Sequence, residues 1–362
     1  MKKIKLNLNS RSYFIYIGRN ALNSLGGILD GLNIGSDAFV ITNDKIKRLH
    51  SGKLEKVLKK SGYSVKYKMI QDSERAKAAS VCIEILNKIA LYDRKKRVFI
   101  IAFGGGVIGD TAGFVASVYR RGVPYIQIPT TLLSQLDSAI GGKVAIDLAV
   151  GKNLAGSFYQ PRAVLSDISL LESLPFPEIR NGLAEAVKYG IIKDPALFTY
   201  LEKNYKKAFK FDPDFLARVI CKCSKIKAGA VEKDERDKKD IRIMLNYGHT
   251  IGHAIESAGN YKTYVHGEAV GIGMLVEALL SYKLDLITEQ NLLRIERVLE
   301  NMGLPTRIKN LNLSKILKAQ DHDKKIISGV NRFVLPTKIG SFKVCENIPR
   351  SLIEASLKER TA

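Results

Sequence analysis

Short apolar runs alternate with longer amphipathic stretches along the first half of the chain. The runs at 13–17, 38–42, 65–70, 98–103, 125–128 and 163–166 are rich in β-branched and aromatic residues, and read as strands. Between them lie stretches such as 76–92, whose apolar positions recur at helical spacing. This alternation predicts an α/β domain built on a mainly parallel sheet. The pattern breaks at LESLPFPEIR, which begins at Leu171 and carries two prolines. Beyond it the periodicity is mostly helical, over 179–192, 196–209, 213–233, 247–258 and 288–302, with a short strand at 332–335. A boundary is expected between Leu171 and Pro177, giving an α/β domain over 1–172 and a mainly helical one over 173–362.

Composition narrows the class. A chain of 362 residues, 46% of them apolar, can bury a large core and is expected to form two domains. No apolar run is long enough to span a bilayer. The opening MKKIKLNLNSRSYFIYIG lacks a continuous apolar stretch and a small-residue cleavage site, so it reads as a first strand and not as a signal peptide. The four cysteines, Cys82, Cys221, Cys223 and Cys345, form no CxxC pair, and reduced thiols in a cytoplasm are expected. The net charge of +22 comes from lysines spread over helices and loops, with no aromatic-interleaved motif. Nucleic acid is therefore not the expected partner, whereas an anionic substrate would benefit from the field. The run EKDERDKKD at 232–240 reads as a solvated loop.

The densest chemistry lies in LNYGHTIGHAIESAGNYKTYVHGEAVGIGM, which holds three of the five histidines, His249, His253 and His266. His249 and His253 share a helix face if 247–258 is helical. His266 opens a second apolar segment that reads as a buried helix, and a helix–loop–helix would bring it back beside the pair. By spacing, all three are candidate ligands for zinc or a similar divalent ion with an open position for substrate. The glycines among them favour close helix packing or close approach of a ligand. There is no HExxH, so a metalloprotease helix is not expected.

A second candidate follows the strand at 98–103. GGGVIGD carries G-x-G-x-x-G at Gly104, Gly106 and Gly109, where backbone amides can meet a phosphate at a helix N-terminus. The acidic residue of an ordinary dinucleotide fingerprint is missing downstream, where VPYIQIPTT follows. Next, TTLLSQLDSAIGGKVAIDLAVGKN supplies Thr130, Thr131, Asp137, Lys143, Lys152 and Asn153, groups suited to anions and hydroxyls. Arg120 and Arg121 close the preceding helix, where C-terminal dipole complementation is the plain reading. In NGLAEAVKYG, Glu185 and Lys188 share a helix face among apolar neighbours, which makes a buried pair plausible.

With DSERAK, GGGVIGD, IPTTLLSQLDSAIGGK, GKNLAGSFYQP, NGLAEAVKYG, RIMLNYGHTIGHAIE, HGEAVGIGM and DKKIISG in this order, the sequence resembles the 3-dehydroquinate synthases, within the sugar-phosphate cyclases, over nearly its whole length. The resemblance implies a Rossmann-like nucleotide-binding domain followed by a helical metal-binding domain. It revises the ligand set to Glu185, His249 and His266, around zinc or cobalt, and moves His253 to the substrate. It implies NAD contacts at Asp72, Glu74 and Lys77, at Gly105, Gly106, Val107, Ile108, Gly109 and Asp110, and at Thr130, Thr131 and Leu133. Asp137, Lys143 and Lys152 lie where cofactor and substrate meet. Leu170, Leu171, Glu172, Ser173 and Glu178 complete the cofactor wall. The substrate phosphate is expected at Lys143, Asn153 and His253, with Arg121 reaching in from the second subunit of a homodimer and Lys338 as a further contact. Lys227 and Arg242 are expected at the substrate carboxylate, and Lys188 and Asn246 at its hydroxyls.

Three positions depart from the family pattern. Asn43 replaces an aspartate, Ser73 replaces a glycine, and the loop before Arg242 is one residue longer. The reaction implied turns 3-deoxy-D-arabino-heptulosonate 7-phosphate into 3-dehydroquinate and phosphate, with transient oxidation, elimination, re-reduction, ring opening and aldol closure. It belongs to the shikimate pathway, which leads to chorismate and the aromatic amino acids. Valiolone- and inosose-forming cyclases and glycerol-dehydrogenase-like oxidoreductases share much of this apparatus. Lys188, Lys227, Arg242 and Asn246 favour the carboxylated heptulosonate.

Overall fold

The computed structural model describes residues 1–321 and 331–362. The DKKIISG stretch at 323–329 lies outside the described residues. Contacts group the chain into two units, Met1–Pro175 with Phe211–Arg236, and Phe176–Lys210 with Asp237–Ala362. The two-domain division proposed at 172/173 differs from this grouping in the helix Pro213–Lys233. Its Phe215, Leu216, Val219 and Ile220 are buried, and it packs against the first strands of the first unit.

The first unit carries nine strands. They are β1 (Lys2–Leu6), β2 (Tyr13–Gly18), β3 (Asp37–Thr42), β4 (Ser64–Met69), β5 (Val98–Gly104), β6 (Tyr125–Pro129), β7 (Lys143–Leu148), β8 (Gly151–Phe158) and β9 (Ala163–Asp167). Seven form one sheet in the order β1-β2-β9-β6-β5-β3-β4, parallel throughout except for β1 against β2. Strand β5 is buried at every residue, because helices cover both faces of a parallel sheet. Phe99, Ile101 and Phe103 point to one core, with Leu25, Leu54 and Leu58. Ile100 and Ala102 point to the other, with Ile85, Ile89 and Val115.

Two local features differ from the sequence reading. The opening segment is a hairpin of two strands, β1 and β2, because alternating burial at Ile4 and Leu6 and at Tyr13, Ile15 and Ile17 flanks a turn at Asn9, whose φ is 54°. The stretch from Lys143 to Phe158, read only for its anion-holding groups, is the antiparallel hairpin β7–β8. Gly156 is required there, since a Cβ would lie 2.4 Å from the Val144 carbonyl oxygen.

The second unit is mainly helical, with one antiparallel hairpin, β10 (Arg332–Lys338) and β11 (Ser341–Glu346). The helices Phe176–Ile192 and His266–Lys283 are buried over most of their length; the second is apolar on nearly every side, whereas the first carries Glu178, Asn181, Glu185 and Lys188 along one face. The expected helix over 196–209 is two, Pro195–Asn204 and Lys206–Phe209. Asp194 starts the first of them by accepting the Leu197 amide, with Pro195 in the first turn. The charged run at 232–240 is more than a solvated loop. In the first unit Glu232 accepts from Asn7, and Glu235 takes a two-pronged contact from Arg11. In the second, Asp240 pairs with Arg332. Among the described residues, no helix is long and apolar enough to cross a membrane.

Candidate active site

In the second unit the histidine stretch is built around glycine. Gly248 has φ +77°, and a Cβ there would stand 2.5 Å from Met274 Cγ and 2.9 Å from the Val270 oxygen. Only glycine fits that turn without strain. Its amide donates to Glu277 Oε2 at 2.6 Å, which anchors the start of the helix His249–Ala258. A Cβ on Gly273 would lie 2.0 Å from the Gly248 oxygen, so this helix and His266–Lys283 meet backbone to backbone. Gly267 donates its amide to Asn181 Oδ1 at 2.6 Å, which ties the start of the second helix to the helix carrying Glu185.

These contacts bring the three rings together. His249 and His253 have centroids 5.3 Å apart, and His266 stands 5.4 Å from the first and 6.2 Å from the second. The ligand atoms form two overlapping groups, Glu185–His249–His266 and His253–Glu256–His266, each within 4.8 Å. In the first group, Glu185 Oε1 lies 3.4 Å from His249 Nε2 and 3.6 Å from His266 Nε2. Donors on a tetrahedral zinc at normal bond lengths stand roughly 3.3–3.5 Å apart.

Charge in this cluster is strongly perturbed. Glu185 and Lys188 are paired, with side-chain exposures of 0% and 1%. Burial alone would raise the Glu185 pKa, but Lys188 and His266 outweigh it and hold the carboxyl at about 2. Burial would lower His266, but Glu185 and Glu256 outweigh it and push the imidazole up to about 10. Neither oxygen of Glu185 accepts a hydrogen bond of normal geometry. A buried carboxylate short of donors, facing two imidazole nitrogens, fits a divalent cation. Lys188 also donates to the Leu245 oxygen at 2.9 Å. Arg242 and Asn246 share the turn Ile241–Asn246, Arg242 buried and Asn246 half-buried, while His253 and Lys338 are exposed. Glu178 accepts from Asn181 at 3.4 Å.

In the first unit, β5 runs through Gly104 into the helix Gly106–Val118. Two glycines of the motif serve packing. A Cβ at Gly104 would strike Ile108, and one at Gly109 would stand 2.9 Å from Gln127. Gly105 and Gly106 bring Thr131 and Ser138 close, at 3.1 and 3.3 Å from where a Cβ would be. Val107 and Asp110 are half-buried in the first turns. Thr130 is 1% exposed, and its hydroxyl has no hydrogen-bond partner. An orphaned hydroxyl beside a glycine-lined helix N-terminus fits a dinucleotide.

The neighbouring charges are paired among themselves. Buried Lys77 binds Asp110 at 2.8 Å and the Asn153 side chain, with Glu74 at 3.7 Å. Burial would lower the Lys77 pKa, but Asp110 and Glu74 raise it above its usual value, so the ammonium stays charged. Lys152 lies 3.4 Å from Glu74. Lys227 pairs with the Asp137 carboxylate and donates to its backbone oxygen at 2.8 Å. Lys143 and Asp72 are exposed, and Leu133 is half-buried. Leu170 and Leu171 are buried, Glu172 pairs with Arg19 at 3.3 Å, and Ser173 meets His50 Nε2 at 2.9 Å. Arg120 is taken by Asp93 at 3.1 Å, whereas Arg121 is exposed with φ 63°. Asn43 caps the helix Asp44–Lys60 by accepting the Ile46 amide at 2.8 Å, which an aspartate would also do.

Three carboxylate or amide groups were not singled out from the sequence: Asn181, Glu256 and Glu277. Glu256 had a signal. It lies seven residues after His249 and three after His253, on the same helix face, and its Oε1 lies 3.4 Å from His266 Nδ1.

Residues 67–181 match the family described as 3-dehydroquinate synthase N-terminal, and residues 182–326 the one described as 3-dehydroquinate synthase C-terminal. A relative from Desulforamulus reducens, named 3-dehydroquinate synthase, is 41% identical over 99% of this chain and 100% of its own. Another so named, from Thermodesulfovibrio yellowstonii, is 44% identical over 95% and 96%. Among solved structures, 2-epi-5-epi-valiolone synthase from Streptomyces hygroscopicus, with NAD+ and Zn2+ bound, superposes with a TM-score of 0.89 at 25% identity, covering 98% of each chain. A 2-deoxy-scyllo-inosose synthase gives 0.89 at 24% identity, over 99% and 100%, which speaks for the fold. On this full-length likeness, the chain belongs to the 3-dehydroquinate synthase family.

Proposed function

We propose that this chain is a phosphorus–oxygen lyase that converts 3-deoxy-D-arabino-heptulosonate 7-phosphate to 3-dehydroquinate and phosphate, using NAD and one divalent cation, zinc or cobalt. The observation that carries the reading is identity above 40% to curated relatives named for this reaction, over nearly the whole chain. The fit of Glu185, His249 and His266 to a cation and of the Thr130–glycine cradle to a dinucleotide supports it. When bound, NAD would take up and return the hydride, and the cation would acidify the substrate alcohol.

The residues have distinct tasks in this reading. Glu185, His249 and His266 hold the cation. Lys188 balances Glu185 and, with Asn246, receives substrate hydroxyls. Arg242 and Lys227 serve the substrate carboxylate, which requires Lys227 to exchange its bond to Asp137 for one to substrate. Lys143, Asn153 and His253 place the phosphate, and Asn153 must likewise leave Lys77. Lys152 and Asp137 serve where cofactor and substrate meet. Asp72, Glu74, Lys77, Asp110, the glycine loop, Thr130, Thr131, Leu133, the 170–173 segment and Glu178 serve NAD. The chain acts as a cytoplasmic homodimer in which Arg121 completes the phosphate site of a second copy. Its exposure and the left-handed backbone at Arg120 and Arg121, φ 48° and 63°, support a held, outward role.

The test is phosphate release from 3-deoxy-D-arabino-heptulosonate 7-phosphate with catalytic NAD, before and after metal stripping and zinc re-addition. Release that needs both, with no NADH accumulating, is expected. Absence of release with both bound would move the substrate to another sugar phosphate, as in the valiolone- and inosose-forming neighbours.

A further inference from the structure

We propose that Glu256 is a positioning residue for the cation site, accepting the Nδ1 proton of His266 and so fixing the ring with Nε2 toward Glu185. The two imidazoles of the ligand group are held in the same way. His249 turns Nε2 to Glu185 at 3.4 Å, and its Nδ1 lies 3.1 Å from the Tyr247 carbonyl oxygen. His266 turns Nε2 to Glu185 at 3.6 Å, and its Nδ1 lies 3.4 Å from Glu256 Oε1. In each ring an acceptor at Nδ1 claims the proton and leaves the Nε2 lone pair for a cation. The acceptors differ in kind. Tyr247 offers a neutral carbonyl fixed by the backbone, whereas Glu256 offers a carboxylate, whose charge strengthens its hold on a ring N–H. Glu256 is well placed, with its side chain 13% exposed, on the same helix as His249. His266 is 30% exposed at the first residue of its helix, where packing alone restrains a ring poorly.

This inference rests on the ligand set proposed above. It competes with a specific alternative, in which His253, Glu256 and His266 Nδ1 themselves bind a cation. Zinc affinity, measured on the full-length protein by competition with a chromophoric chelator, separates the cases, together with the cobalt(II) absorption spectrum. Glu256→Ala is expected to weaken zinc by about 10–100-fold and to change the cobalt ligand-field bands, while the metal-free chain stays folded by far-ultraviolet circular dichroism. Glu256→Gln keeps an acceptor oxygen without the charge and is expected to recover part of the affinity. His253→Ala is expected to leave zinc affinity unchanged, with one ion per chain. Unchanged affinity in both Glu256 variants overturns the proposal, as does a lower metal-free midpoint with zinc affinity intact. Two ions per chain, one of them lost in His253→Ala, also overturns it. Glu185→Ala serves as the control for the ligand set: unchanged zinc binding there sinks the set itself, while loss there with no effect at Glu256 sinks only the positioning role.

Discussion

The ammonium of Lys188 closes on the carboxylate of Glu185 one helical turn before it, and neither side chain is more than 1% exposed. Removing one partner of such a pair leaves a buried charge uncompensated, at a cost of about 3–5 kcal/mol. Lys188→Met is expected to lose that much stability in the metal-free protein, measured by urea denaturation. Zinc supplies positive charge at the same carboxylate and should restore part of the loss. An equal loss with and without zinc would separate Glu185 from the cation.

Glu185→Ala removes the carboxylate itself. Turnover that depends on metal is expected to vanish while far-ultraviolet circular dichroism stays that of the folded chain. Full activity in this variant would overturn the ligand assignment.

Two glycines of the helix His266–Lys283 should answer differently to the same change. At Gly273 a Cβ would meet backbone, 2.0 Å from the Gly248 oxygen and 2.8 Å from the Gly252 nitrogen. Gly273→Ala is expected to cost at least about 1–3 kcal/mol and to weaken zinc binding, since it forces apart the helices carrying His249 and His266. At Gly271 the nearest atom would be Leu304 Cβ at an ordinary 3.8 Å. Gly271→Ala should be neutral or stabilising by up to about 1 kcal/mol. Denaturation midpoints and zinc titrations of the pair check both.

Thr130→Val keeps the shape and removes a buried hydroxyl that has no protein partner. Thermal stability should hold or rise, because an unsatisfied polar group is lost. NAD affinity should fall by a few-fold to about tenfold, the worth of one hydrogen bond, as read by calorimetric titration. Unchanged NAD affinity would place the cofactor elsewhere.

The Arg11–Glu235 contact gives a pH-dependent prediction. The Arg11 hydrogen bond, aided by its charge, holds Glu235 below its usual 4.5 against the opposing effect of burial. A depressed carboxyl stabilises the fold above its unfolded pKa, and that contribution is lost as pH falls through the folded value. Arg11 is 52% exposed, so the pair is worth no more than about 1 kcal/mol. Arg11→Ala should therefore lower stability slightly at pH 7, and the difference from wild type should close as pH drops below the glutamate range. Stability curves of the two proteins between pH 3 and 7 check this.

The N-terminal hairpin and the ligand set show where sequence reading stops. Ile4 and Leu6, then Tyr13, Ile15 and Ile17, are buried at every second position, yet one strand and two strands share that signature until a turn at Asn9 is known. The three histidines were visible as a cluster because they fall in one short stretch. Glu185 lies far along the chain from them, and no spacing rule connects it to His249. Its place in the ligand set came from family resemblance, and the geometry then set it 3.4 Å from that ring.

The sequence by itself determined the alternation of strand and helix, the helical second half, and the pairing of His249 with His253 and of Glu185 with Lys188 on single helix faces. Those follow from local periodicity, which each residue shares with near neighbours. Only the tertiary structure decided that Glu256 faces His266, that Glu277 anchors Gly248, that Lys227 is held by Asp137, and that the helix Pro213–Lys233 joins the first unit. Each of these joins residues from separate elements, so it depends on how whole helices pack, a property that no single stretch of chain carries.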